Sequence, residues 1–157
     1  MLPIDELVLT SAALDANATG RIARADEQTN VQLGGQIKYG LERLTGLLQP
    51  HLGPGIRIVG SGTSPASYRG PLSLAKAQAS AAVGWKSAEV YGFPVGPGEL
   101  KANLAGGVVR VQPMDLAVSG GQMRLAPQIR LAPAPRELTM PQGPLAKQVQ
   151  ITPAMCD

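Results

Sequence analysis

The chain has 157 residues, with 14 Lys and Arg against 11 Asp and Glu, 44% hydrophobic residues, and an aromatic complement of one Trp, three Tyr and one Phe; this is the length of one domain whose core must be mainly aliphatic. A single His and a single Cys exclude a zinc site of His and Cys ligands and an intrachain disulfide framework. The cations stand singly, so the clustered basic face that a nucleic-acid partner requires is missing.

In chain order, the N-terminus shows no basic region followed by an apolar run, which predicts no signal peptide. No stretch approaches the roughly 18 apolar residues of a membrane span. From Leu14 to Ile22, small apolar residues alternate with Asp15, Asn17, Thr19 and Arg21, and from Val31 to Tyr39 the odd positions are apolar or Gly. This period of two predicts two half-buried strands. The small side chains of the first imply that something approaches its apolar face closely. Leu41, Leu44, Leu47 and Leu48 fall at helical spacing, so the sequence predicts one short helix over Gly40 to Gln49, ended by Pro50 and followed by His51. The helix should lie on a sheet or plug one end of it.

Ile56, Ile58 and Gly60 predict a strand, and Ser61 to Pro65 a turn cluster. Over Ser73 to Trp85 the alternation of Ala75, Ala77, Ala79, Ala81, Val83 and Trp85 with polar residues favours strand over the helical propensity of Ala. Two hairpins follow. Leu100, Ala102 and Leu104 lead through Gly106-Gly107 to Val109 and Val111, which sets Leu104 opposite Val109 and Ala102 opposite Val111. Met114, Leu116 and Val118 lead through Gly120-Gly121 to Met123 and Leu125. Short strands are expected at Gln128 to Leu131, Leu138 to Met140 and Leu145 to Thr152, separated by Pro residues. The fold class is therefore mostly β, an antiparallel meander or curved sheet with hairpins and one short helix near residues 40–49. Residues 1–157 read as a single β-rich module, a fragment of a longer chain.

Catalytic signals are weak. Gly60-Ser-Gly62 lacks the third Gly and the following helix of a dinucleotide loop. No Gly-x-Ser-x-Gly elbow exists, and the lone His argues against a nucleophile triad. Cys156 lies beside the C-terminus. The acids come without the aromatic platforms that usually accompany sugar-cleaving carboxylate pairs. Asn17-Ala-Thr19 matches a glycosylation sequon, a match common by chance. Trp85, Tyr91 and Phe93 concentrate the aromatics and suit either a small core cluster or a ligand mouth. The expectation is a non-enzyme with no catalytic residues, no metal site and no cofactor.

The phrases Trp85-Lys-Ser-Ala-Glu-Val-Tyr-Gly92, Gly98-Glu-Leu, Gly106-Gly-Val-Val-Arg-Val-Gln-Pro113 and Ser119-Gly-Gly-Gln, with Leu33-Gly-Gly-Gln-Ile-Lys-Tyr-Gly, carry a family resemblance. The chain resembles the C-terminal part of AsmA-like bacterial envelope proteins, relatives of TamB. That resemblance implies a long curved sheet with an apolar groove, a periplasmic or cell-envelope location, and a role in lipid handling or envelope integrity. It brings no catalytic residues, and the N-terminal membrane helix of the family is missing from this chain. The partner so implied is a phospholipid or other acyl lipid. Candidate groove residues, taken from alternating strand faces, are Val31, Leu33, Ile37, Val109, Val111, Leu116 and Val118. The alternative is a β-rich adhesion or assembly module that forms homo- or hetero-oligomers through its sheet edges.

Overall fold

The computed structural model describes residues 2–25 and 28–151. Three long strands open the chain: β1 (Leu2–Thr10), β2 (Leu14–Ala25) and β3 (Gln28–Gly40). The helix α1 (Leu41–Leu52) follows. The rest is strand: β4 (Ile56–Val59), β5 (Ser61–Pro71), β6 (Gln78–Trp85), β7 (Ser87–Val90), β8 (Phe93–Val95), β9 (Gly98–Ala105), β10 (Val108–Val111), β11 (Met114–Val118), β12 (Gly121–Leu125), β13 (Gln128–Arg130), β14 (Glu137–Thr139) and β15 (Ala146–Lys147). The fold is mostly β, as the alternation predicts.

Two antiparallel sheets result. The larger has the order β1-β2-β3-β5-β6-β9-β10-β13-β14, the smaller β15-β12-β11-β8-β7-β4. Both orders follow the chain. Six extended runs contribute one segment to each sheet, so the architecture is an up-and-down meander whose last six runs break on the way. The breaks fall at Gly60, Lys86, Gly96-Pro97, Gln112-Pro113, Ala126-Pro127 and residues 140–145. Pro97, Pro113 and Pro127 have no N–H to donate, which ends the ladder at those points. Single hydrogen bonds still stitch the break, among them Lys86 N–H to the Val59 carbonyl at 2.9 Å and Gly96 N–H to the Ala117 carbonyl at 2.8 Å.

The Gly106-Gly107 hairpin forms as predicted. Val109 faces Leu104 and Val111 faces Ala102, and the two glycines take φ of 57° and 76°, the left-handed pair of a type I′ turn. The second hairpin turns one residue earlier than its Gly-Gly pair suggests. Val118 faces Gly121, so the turn residues are Ser119 and Gly120, with φ of 46° and 77°. Gly121 is held in the strand instead, where a Cβ would collide with the Lys147 carbonyl.

Other boundaries also differ. Ser61 to Pro65 is part of β5, not a turn, because β3 pairs with it residue for residue from Ser61 to Pro71. Pro65 is tolerated since the pairing of β5 with β6 begins only at Ala66. The strand expected from Ser73 begins at Gln78. Lys76 and Ala77 donate their N–H groups to the Ser73 carbonyl and form a turn, which removes Ala75 and Ala77 from the strand. The helix continues past Gln49 to Leu52 with Pro50 inside it, and His51 lies within its last turn. The N–H that Pro50 lacks would have bonded to Gly46, which sits on the exposed side. The helix ends at Gly53, whose φ is 81° and whose N–H bonds to the Gln49 carbonyl. β13 and β15 are shorter than expected, β14 keeps its three residues but starts one earlier, at Glu137, and Thr152 lies outside the described residues. β1, β7 and β8 were not predicted.

The alternating face of the larger sheet is continuous. Ile4, Gly20, Leu33, Tyr68, Ala79, Leu104, Val109, Ile129 and Leu138 face one another in sequence across all nine strands. The small residues of β2 admit the neighbouring backbone: a Cβ at Gly20 would collide with the Gln32 carbonyl. No described helix is long and apolar enough to cross a membrane.

Candidate functional site: an apolar cavity between the sheets

The two sheets meet where the larger one ends in Trp85 of β6 and Leu100 of β9. Trp85 is placed by its neighbours: its indole N–H donates to the Gly96 carbonyl at 2.9 Å. Gly98, paired with Trp85 across the ladder, leaves room for the ring, and Leu116 of β11 closes over the same glycine. Tyr39 of β3 reaches across Gly62 and accepts the Gly84 N–H on its hydroxyl at 2.7 Å. These contacts hold β3, β5 and β6 together just before the meander crosses into the smaller sheet. At the other side of the break, α1 packs against β4, and the Leu41 N–H donates to the Gly60 carbonyl at 2.8 Å.

Between the sheets lies a cavity of about 470 Å³ whose lining contains no polar side chain. Trp85 and Leu100 come from the larger sheet; Ile58, Phe93, Leu116 and Met123 are among those from the smaller one. The core around it is thin. Leu116, Val118 and Val111 are buried, yet no large side chain among the described residues is fully buried. The space is open on one side to solvent, and its volume falls within the range of small-molecule pockets.

The sequence-predicted groove residues divide between the sheets. Val31, Leu33, Ile37, Val109 and Val111 lie on the apolar face of the larger sheet, while Leu116 and Val118 lie on β11 in the smaller one and line the cavity. The apolar parity changes at Gln112-Pro113: Val109 and Val111 are odd, Leu116 and Val118 even. Leu33 and Val109 share a row, but three strands stand between them. At about 4.8 Å per strand they are separated by about 19 Å. They could flank an extended chain and could not grip one small group. Sequence reasoning missed Ile58, Leu100, Met114, Met123 and Val95 as lining residues. Trp85 and Phe93 belong to the aromatic concentration, and both face the cavity; Tyr91 instead packs its ring beside Gly55.

The opposite face of the larger sheet is polar. Ser67 and Ser80 share a hydrogen bond of 2.7 Å there, in a depression flanked by Arg21, Gln32, Arg69 and Asn103. Every Lys and Arg among the described residues is exposed, and none lines the apolar cavity. Among the described residues no three His, Cys, Asp or Glu side chains gather in a way that could hold a metal ion. Gly60-Ser-Gly62 is a strand junction whose glycine sits close against the Trp85 backbone. Comparisons of the chain with protein-family models, with curated proteins and with solved structures found no match.

Proposed function

We propose that the chain is a non-enzymatic β-groove module of the cell envelope that takes up the hydrocarbon part of a phospholipid or other acyl lipid. The observation that carries this reading is the cavity of about 470 Å³ lined by apolar side chains alone. A ligand there meets no hydrogen-bond partner, because the lining exposes no polar surface and the Trp85 indole N–H is already bonded to the Gly96 carbonyl. A polar or charged ligand would lose its hydration without compensation, at a cost of several kcal/mol. A hydrocarbon chain loses nothing and gains burial. The apolar face of the larger sheet runs on from Trp85 and Leu100, which gives a longer chain a surface to follow. The resemblance to AsmA-like envelope proteins supports the same occupant and an envelope location.

The test uses native mass spectrometry of the purified chain together with the variants Val111→Asp and Leu116→Asp. The wild type is expected to carry co-purified acyl lipid. Asp at Leu116 puts a carboxylate into the cavity, and Asp at Val111 puts one on the apolar face of the larger sheet that a longer chain would follow. Lipid load should therefore fall at least tenfold in Leu116→Asp and to a smaller extent in Val111→Asp. Circular dichroism identifies variants that have simply unfolded. Folded Asp variants with an undiminished lipid load, or a wild type that never carries lipid, would reject the reading.

A further inference from the structure

The sheet edges of the described chain are unequally protected. β4, one edge of the smaller sheet, has α1 packed against it. β15, the other, is two residues long. β14 closes the larger sheet with three residues, set between Pro135 and Pro141. Short strands, proline and a covering helix are the ordinary means of preventing strand addition. β1 differs. It is nine residues long and presents Leu7, Val8 and Leu9 at 45%, 56% and 56% exposure. Its first half is protected by Pro3 and by an irregularity between Ile4 and Leu7, where the two acids Asp5 and Glu6 stand. From Leu7 to Thr10 no such device exists.

We propose that residues Glu6 to Thr10 of β1 pair antiparallel with the same residues of a second copy, about a twofold axis through Val8. The proposal stands apart from the lipid reading and needs no ligand. The register follows from the sequence of the edge. Directly opposed residues of an antiparallel pair share a face, so an axis normal to the sheet must pass through a residue. An axis through Leu7 would set Glu6 against Val8 and Asp5 against Leu9, burying carboxylates beside apolar side chains. An axis through Leu9 would draw in Ser11, whose hydroxyl and N–H both already bond to the Leu14 carbonyl in the β1–β2 turn. The axis through Val8 sets Leu7 against Leu9 twice, on the apolar face of both copies. It also sets Glu6 against Thr10, a hydroxyl donor for the carboxylate, and no like charges meet.

Charge at the ends of the pairing agrees. Asp5 of one copy runs towards Ser11 and Ala12 of the other. Arg43 donates to the Ala12 carbonyl at 3.0 Å, which puts a cation at that turn. Such a contact is isologous and closes at two copies, so it adds no open edge and leads to no fibre. It covers the exposed Leu7, Val8 and Leu9 and joins two apolar sheet faces side by side.

The experiment combines crosslinking with sedimentation on the full chain. In a Cys156→Ser background, Val8→Cys places two thiols across the axis, with Cα atoms about 4.5–5.5 Å apart, within disulfide range. Mild oxidation should give a covalent dimer from Val8→Cys and little from Thr10→Cys, which faces Glu6. In sedimentation, the wild type should be dimeric, and Val8→Lys should weaken the dimer about tenfold or more while circular dichroism stays unchanged. A wild type that remains monomeric at every soluble concentration overturns the proposal. So does Thr10→Cys crosslinking as readily as Val8→Cys, or a Val8→Lys dimer of unchanged affinity; the crosslinking result stands even if the Lys variant fails to fold.

Discussion

Replacing Gly98 by Ala tests the junction of the two sheets. A Cβ at this position would lie 2.5 Å from Cζ2 and 3.0 Å from Cε2 of Trp85, and 2.8 Å from Cδ2 of Leu116. Ordinary carbon contacts begin near 3.5 Å, so the indole must move by about 1 Å. It is not free to do so, because its N–H is bonded to the Gly96 carbonyl at 2.9 Å. Overpacking of this kind costs about 1–3 kcal/mol, and leaving the indole donor unpaired costs about 1–3 kcal/mol more. The lower chain entropy of Ala in the unfolded state returns about 0.4–1 kcal/mol. The variant should therefore be less stable by about 1–5 kcal/mol, within the scale of those terms. Urea unfolding followed by the emission of the single Trp and by circular dichroism measures this directly. Gly34→Ala is the control, since a Cβ there meets nothing within 4 Å, and it should be neutral or stabilising by up to about 1 kcal/mol. If Gly98→Ala matches the wild type in stability and emission, Trp85 is not packed at the junction as described.

Tyr39→Phe should lower stability by about 1–3 kcal/mol, because it leaves the Gly84 N–H without the hydroxyl it now bonds at 2.7 Å; an unchanged urea midpoint would show that the bond does not form. The ion pairs Lys101–Glu99, Arg124–Asp115 and Arg130–Glu137 have every partner close to half exposed or more, so each contributes less than about 1 kcal/mol. Thermal unfolding should accordingly shift little between low and high NaCl, and a fall of more than about 5 °C at high salt would contradict that.

Much of this fold is legible in the sequence because period-two patterning and turn chemistry are local. Val31 to Tyr39 alternates without interruption, and Gly106-Gly107 is the pair a type I′ turn requires. The failures have physical causes. Leu2–Thr10 conceals its strand because the irregularity at Asp5-Glu6 shifts the apolar parity between Ile4 and Leu7. Ser61 to Pro65 has the composition of a turn but is held extended by the full length of β3. The break between the sheets is marked by Pro97, Pro113 and Pro127, yet one proline alone does not reveal that neighbouring runs break beside it. The cavity is the least legible feature. Its lining comes from both sheets, and the parity change between Val111 and Leu116 can be read in the sequence, but not that Trp85 and Leu100 of the larger sheet meet Leu116 of the smaller one.

Trp85 is the only Trp of the chain and lines the cavity, so energy transfer from it to a bound polyene fatty acid such as parinaric acid tests the central claim most directly. Titration of the delipidated chain should give saturable transfer at one fatty acid per chain, lost in folded Leu116→Asp and retained in Val8→Lys. Absence of transfer at saturating fatty acid, or transfer undiminished in folded Leu116→Asp, would contradict the account.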